Sequence, residues 1–180
     1  MVSPLSAIVV MGVSGCGKSS VGAEIAKVSG GHLIEGDAFH PAANIEKMSA
    51  GHPLDDNDRA GWLHKLGEEL ARCVKAGERP ILTCSALKKS YRKTLRDAVP
   101  NLGFVFLELT RKEAAYRVSH RPGHFMPASL IDSQFATLES PTGENLTLTV
   151  DATTQSIPQI ATQVDQWLDD QGAPTLSRTA

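Results

Sequence analysis

The chain has 180 residues, a length that suits one domain around one hydrophobic core. Its 18 Lys and Arg nearly balance 20 Asp and Glu, so no overall charge draws it to nucleic acid or an anionic membrane, and any basic surface must be a local pocket. No apolar stretch is long enough for a membrane span.

Ala7-Ile8-Val9-Val10-Met11 is a short apolar run with the length and character of a buried strand. A glycine-rich segment follows, after which Val21, Ile25 and Val28 recur at helical spacing. His32-Leu33-Ile34-Glu35 reads as a second strand ending at Gly36-Asp37. Residues 42–50 form a short helix after Pro41, closed by Gly51. Asp55 or Asp56 caps the next helix, whose apolar face is Trp62, Leu63, Leu66, Leu70, Cys73 and Val74, and Gly77 stops it.

Ile81-Leu82-Thr83-Cys84 is the third strand, followed by a basic stretch over 88–96. A fourth strand spans 103–109, and a polar helix runs to about Ser119. Leu146 to Val150 makes the fifth strand, and Ile157, Ile160, Ala161, Val164, Trp167 and Leu168 mark a closing helix. Residues 1–170 read as a single domain, and 171–180, with little to bury, as a loose tail. Apolar strands alternating with amphipathic helices imply a parallel sheet covered on both faces. The N-terminus shows no basic segment ahead of a signal-type core, and Cys16, Cys73 and Cys84 contain no C-x-x-C pair, which fits reduced thiols in a cytoplasm.

The glycine-rich segment spells Gly12-Val13-Ser14-Gly15-Cys16-Gly17-Lys18-Ser19, the phosphate-binding loop G-x-x-x-x-G-K-S, set between a strand and a helix as that loop requires. Its glycines let backbone N–H groups turn toward phosphate oxygens, Lys18 brings a point charge to the β- and γ-phosphates, and the Ser19 hydroxyl can sit on Mg²⁺. The helix N-terminus adds unpaired donors and a partial positive charge. Residues 12–19 with Ser20 are thus expected around a nucleoside triphosphate.

In open parallel sheets, ligands gather beyond the carboxyl ends of the strands. The second strand delivers Asp37, with His40 close behind, and the third delivers Ser85, Lys88 and Lys89. Asp37 either takes the proton from an attacking hydroxyl or helps to hold Mg²⁺; its alternative is a helix-cap or turn carboxylate beside Gly36. Arg59 either clamps a substrate carboxylate or pairs with the aspartates around it. Arg117 and Arg121 lie four apart on one helical face ahead of Pro122-Gly123, as in a lid over 117–127 that neutralises charge and excludes water, or as an exposed helix end. His124 follows, without an assigned role. No N-K-x-D guanine motif is present.

The chain resembles the bacterial-type gluconokinases. Beyond the phosphate loop, the resemblance rests on Gly36-Asp37-Ala38-Phe39-His40-Pro41, Asn44-Ile45-Glu46-Lys47-Met48, Gly51-His52-Pro53-Leu54-Asp55-Asp56-Asn57-Asp58-Arg59, Cys84-Ser85-Ala86-Leu87-Lys88-Lys89-Ser90-Tyr91-Arg92, Gly123-His124-Phe125-Met126 and Ser133-Gln134-Phe135-Ala136-Thr137-Leu138-Glu139. It implies a three-layer P-loop NTPase fold, nucleoside-monophosphate-kinase-like, with a five-stranded parallel sheet in the order 2-3-1-4-5 and a helical lid. It also implies transfer from ATP, with Mg²⁺, to D-gluconate, giving 6-phospho-D-gluconate for the pentose phosphate pathway, and commonly a homodimer.

Under that resemblance Lys18, Asp37 and Arg121 are catalytic and Ser19 and Asp37 hold the metal. Arg117 and Arg121 attend ATP, and Asp37, His40, Arg59, Ser85, Lys88, Arg92, His124 and Gln134 attend the acceptor. An anionic polyol needs a cation for its carboxylate and short polar groups for its hydroxyls, which this set offers. Two positions depart from the family pattern: Phe39 stands where many members have leucine, and Pro122 where some have lysine, leaving the lid one cation fewer. The alternatives are a kinase for another sugar acid or polyol, and a nucleotide-dependent switch.

Overall fold

Strands that are almost wholly apolar must be buried on both faces, and the centre of the sheet is built from such strands. β1 (Ala7–Met11) is flanked in parallel by β3 (Pro80–Thr83) and β4 (Leu102–Glu108). β2 (His32–Glu35) extends the sheet beyond β3, and β5 (Thr147–Asp151) extends it beyond β4. The order β2-β3-β1-β4-β5 is the one the family resemblance implies. Most polar positions fall on the two edge strands, His32 and Glu35 on one and Thr147, Thr149 and Asp151 on the other, where one side of the ladder faces no partner, while Thr83 and Glu108 close β3 and β4 at their carboxyl ends. This computed structural model describes residues 4–120, 128–174 and 176.

Side chains alternate across the sheet, so β1 feeds two cores. Ile8 and Val10 pack with Val105, Leu107 and Val150 under α1 (Lys18–Ser29) and α7 (Ile157–Asp170), which supply Val21, Ile25, Ile160 and Val164. Ala7, Val9 and Met11 pack the other way, with Leu82, Phe104 and Phe106, under α3 (Asp56–Lys75) and α4 (Lys89–Ala98). Three shorter helices complete the described fold: α2 (Ala42–Ser49), α5 (Arg111–Ser119) and α6 (Ala128–Thr137).

Helix starts follow local chemistry. Asp55 caps α3 in a reciprocal box, its Oδ1 accepting from Asp58 N (2.8 Å) while Asp58 Oδ2 accepts from Asp55 N (2.9 Å). Ser156 and Gln159 do the same for α7. The third, fourth and fifth strands each lie one residue from their expected bounds. Two helices carry no helix assignment in the sequence reading. α4 is masked by its four basic residues, and only the burial of Tyr91, Arg92 and Leu95 makes it amphipathic. α6 buries little more than Leu130 and Ile131. Of residues 171–180, expected as a loose tail, the described part is tied down: Pro174 O accepts from Arg79 Nη1 (2.9 Å) and Ala173 packs on the core.

Candidate active site

Beyond Met11 the chain turns through Gly12, Gly15 and Gly17 into α1. Gly15, at φ 85°, has no room for a side chain: a Cβ would meet Val118 Cγ2 at 2.9 Å and Ala114 O at 3.1 Å, so the loop's close seat on α5 requires glycine. Gly17 stands at the N-cap of α1 without a side-chain capping bond, and no acidic residue lies in the first turn. The amides at this helix start are therefore left for an anion, which fits a phosphate chain. Lys18 Nζ donates to Gly12 O (3.0 Å) and Val13 O (3.2 Å), two neutral acceptors that compete weakly with phosphate oxygens. Cys16 is buried beneath the loop as a small packing residue.

Ser19 Oγ donates to Glu35 Oε2 (2.9 Å), and Thr83 Oγ1 donates to the same oxygen (2.6 Å). A hydroxyl beside a carboxylate is a hard oxygen donor set of the kind Mg²⁺ takes. The expectation paired Ser19 with Asp37 at the metal; the carboxylate in contact with Ser19 is Glu35. The signal for Glu35 was present, since it closes β2 at the carboxyl end of the sheet. Gly36 follows, where a Cβ would lie 2.2 Å from Thr83 O, so only glycine lets the chain pass β3 at this point.

A single 3-10 turn (Gly36–Phe39) then presents Asp37, whose side chain is 90% exposed. His40 Nε2 lies 3.8 Å from Asp37 Oδ1. The imidazole stacks on Trp62 with ring centroids 4.0 Å apart, and Trp62 Nε1 donates to Gly36 O (2.8 Å). Asn44 Nδ2 donates to Asp58 O (2.9 Å) and sits 3.3 Å from His40 Nδ1, which makes Nδ1 the acceptor and leaves the proton on Nε2, toward Asp37. Burial lowers the His40 pKa below 6.5, outweighing the attraction of Asp37, and Arg59 lowers it further.

A cavity of about 200 Å³ collects these groups. Ser14, Lys18, Asp37, His40, Arg59, Ser85 and Gln134 line it, with Met48, Leu54, Trp62, Leu87 and Leu130 as apolar wall. Gln134 of α6 is bound to the phosphate loop, its Oε1 accepting from Ser14 N (2.7 Å) and its Nε2 donating to Ser14 Oγ (2.9 Å). Arg59 Nη1 donates to Tyr91 Oη (3.0 Å).

Three expected site residues are turned elsewhere. Lys88 Nζ pairs with Asp56 Oδ1 (2.9 Å) and does not line the cavity. Arg92, expected on the acceptor, is fully buried and commits all five N–H donors: to Ala86 O, Leu87 O, Glu139 O and both oxygens of Glu144. It holds the β3–α4 connection, including Ala86 at φ 45°, a left-handed conformation costing a non-glycine residue about 1–2 kcal/mol. Burial alone would raise the Glu144 pKa, but its bonds from Arg92 and Arg96 hold it below 4.5. Arg117 is bound to Glu113 Oε1 (2.9 Å) and Ala152 O (2.8 Å). Arg121, Pro122 and His124 lie outside the described residues, and with them most of the expected lid. Besides Glu35, the sequence reading passed over Trp62, Tyr91 and Asn44, whose parts in the site rest on contacts made across the fold.

Comparison with known proteins gives the family. Residues 8–141 match a family model described as an AAA domain. The chain is 54% identical over 134 residues to a gluconokinase of Gluconobacter oxydans, covering 74% of this chain and 75% of that one. It is 43% identical over 133 residues to the thermosensitive gluconokinase of Escherichia coli, covering 74% and 71%. Its structure superposes on the crystal structure of a gluconokinase from Sinorhizobium meliloti with a TM-score of 0.83 at 48% identity, covering 93% and 94% of the two chains. With identities of this order spread over most of its length, the chain belongs to the gluconokinase family of P-loop kinases.

Proposed function

We propose that the chain transfers the γ-phosphoryl group of ATP to the 6-hydroxyl of D-gluconate, giving 6-phospho-D-gluconate for the pentose phosphate pathway. The observation that carries this reading is the cavity beyond the strand ends, where the Lys18 ammonium, the Asp37 carboxylate and the Arg59 guanidinium face one volume. Arg59 would hold the gluconate carboxylate in a bidentate pair, while Gln134, Ser85 and the other polar groups receive hydroxyls. Asp37 accepts the proton of the attacking hydroxyl as its oxygen bonds to the γ-phosphorus. The bond from that phosphorus to the bridging oxygen breaks, and its electron pair leaves with ADP.

The protein's part is chiefly positioning and charge stabilisation. Lys18 and the amides at the start of α1 supply positive charge at the phosphates. Ser19 and Glu35 would hold Mg²⁺, which when bound neutralises charge on the phosphate oxygens. The apolar wall of Leu54, Trp62, Leu87 and Leu130 limits water at the transferring group, which opposes wasteful hydrolysis. The reading extends to a homodimer in the cytoplasm; among the described residues no helix is long and apolar enough to cross a membrane.

ADP release is the measurement that tests the reaction, with Mg²⁺–ATP and D-gluconate, a panel of other aldonic acids, shikimate and neutral glucitol. The expected result is turnover of gluconate well above every other acceptor. Folded protein that leaves gluconate untouched overturns the reading, and equal or better turnover of another aldonic acid moves the assignment to that acid. Sedimentation of the purified protein tests the dimer.

A further inference from the structure

Lys88 and Asp56 lie outside the cavity, yet they are joined to it through one hydroxyl. Tyr91 Oη donates to Asp56 Oδ1 at 2.5 Å. A phenol has a single proton, so toward Arg59 Nη1, 3.0 Å away, the same oxygen can only accept. Asp56 Oδ1 also accepts from Lys88 Nζ at 2.9 Å. Both cations stand over the Tyr91 ring, Arg59 Cζ at 5.4 Å and Lys88 Nζ at 5.6 Å from its centre. The order is therefore Lys88, Asp56, Tyr91, Arg59, with Arg59 alone of the four lining the cavity.

The charges in this row do not cancel. Lys88 neutralises Asp56, and the neutral phenol separates that carboxylate from the guanidinium, so one positive charge is left over at Arg59. The phenol accepts through an oxygen already bound to an anion, which strengthens its hold on the guanidinium. We propose that Lys88, Asp56 and Tyr91 act as positioning residues that set acceptor specificity, fixing Arg59 at the cavity with its charge uncompensated so that the site selects acceptors bearing a carboxylate. This rests on the reading above that Arg59 receives that carboxylate.

The row makes an unusual demand of Lys88: its removal harms acceptor binding although it touches no acceptor. Without Lys88 the Asp56 carboxylate loses its counter-ion and turns toward Arg59, where it competes with the substrate. Removing the carboxylate as well ends the competition. The experiment is steady-state kinetics, with KM for gluconate, KM for ATP and kcat measured separately, on Lys88→Met, Tyr91→Phe, Arg59→Ala and the double variant Lys88→Met/Asp56→Asn. Lys88→Met and Tyr91→Phe each raise the gluconate KM about tenfold, the size of a lost charge-assisted bond, while the ATP KM stays within about twofold. The double variant recovers most of the loss in Lys88→Met, a non-additivity that a generally loosened fold does not produce.

A gluconate KM unmoved by Lys88→Met and Tyr91→Phe, where Arg59→Ala raises it, overturns the row and leaves the role of Arg59 standing. Failure of the double variant to recover also overturns it. An unmoved gluconate KM in Arg59→Ala overturns the role of Arg59 and the row together. The Lys88 side chain is half-buried and outside both cores, so its variant keeps the question answerable if Tyr91→Phe proves unstable.

Discussion

The two halves of the site are made in different ways. The nucleotide side is a run of consecutive residues, 12–19, whose donors are mostly backbone amides at an uncapped helix start. The acceptor side is assembled from side chains on separate elements: Asp37 from a 3-10 turn, Arg59 from α3, Ser85 from the β3–α4 connection and Gln134 from α6. Its parts are tied by contacts far apart in the chain, from Trp62 to Gly36 and from Arg59 to Tyr91. A backbone-built subsite holds any triphosphate, because every nucleotide offers the same oxygens. A side-chain subsite carries the specificity, and each direction in it depends on a neighbour.

Replacing Asp37, the proposed base, should cost the most. Asp37→Asn keeps shape and removes the proton acceptor, so kcat is expected to fall by about 10²–10⁴ while the ATP KM changes little. Near-normal kcat in this variant removes the base role and leaves Asp37 as a polar contact. On the nucleotide side, Lys18→Ala is expected to lower kcat by about 10²–10³ through lost charge stabilisation. The contrast is broken if Lys18→Ala alters the gluconate KM as much as it alters turnover.

The next effect falls on the frame of the acceptor side. Arg92→Leu puts an apolar group in a fully buried place but takes the Arg92 donors from Ala86 O and Glu139 O, leaves Leu87 O with Glu139 N alone and leaves Glu144 with Arg96 alone. Breaking a buried pair of this kind costs about 3–5 kcal/mol. Equilibrium denaturation is expected to register that loss, with the gluconate KM rising before the ATP KM because the freed connection carries Ser85. A variant as stable as the parent would mean that the connection holds its own shape.

This asymmetry also explains what was legible in the sequence. The phosphate loop is one contiguous string, and each of its letters has a job that does not depend on distant residues. The central strands read well because nearly continuous apolar runs have one fate in a parallel sheet. Arg92 read as an acceptor contact because its partners, three carbonyls and Glu144, are brought to it only by the fold. Lys88 read as a substrate contact for the same reason, its nearness to a strand end being visible and its pairing with Asp56 not. Glu35 stands at a strand end, where ligands gather, but alternation assigns it a direction and not its partners Ser19 and Thr83. α6 escaped notice because its apolar face is short and its main polar tie, Gln134 to Ser14, spans most of the chain.

The smallest effect concerns His40, and it tests whether this ring belongs to the frame or to the substrate. Stacked on Trp62 and accepting from Asn44, the ring is expected to stay neutral at pH 7, with burial outweighing the pull of the nearby Asp37. A folded-state pKa below the unfolded value of 6.5 means that the unfolded chain takes up the proton first as pH falls. His40 therefore contributes its full stability above pH 6.5, loses part of it as pH drops from there to the folded pKa, and loses nothing further below. His40→Gln should flatten that segment of the stability profile measured by denaturant titration. Proton NMR of the ring Cε1–H gives the midpoint directly. A midpoint above 6.5 would place the Asp37 charge ahead of burial and make the ring an imidazolium partner of the base, where a lower midpoint makes it a neutral donor that holds the base in place.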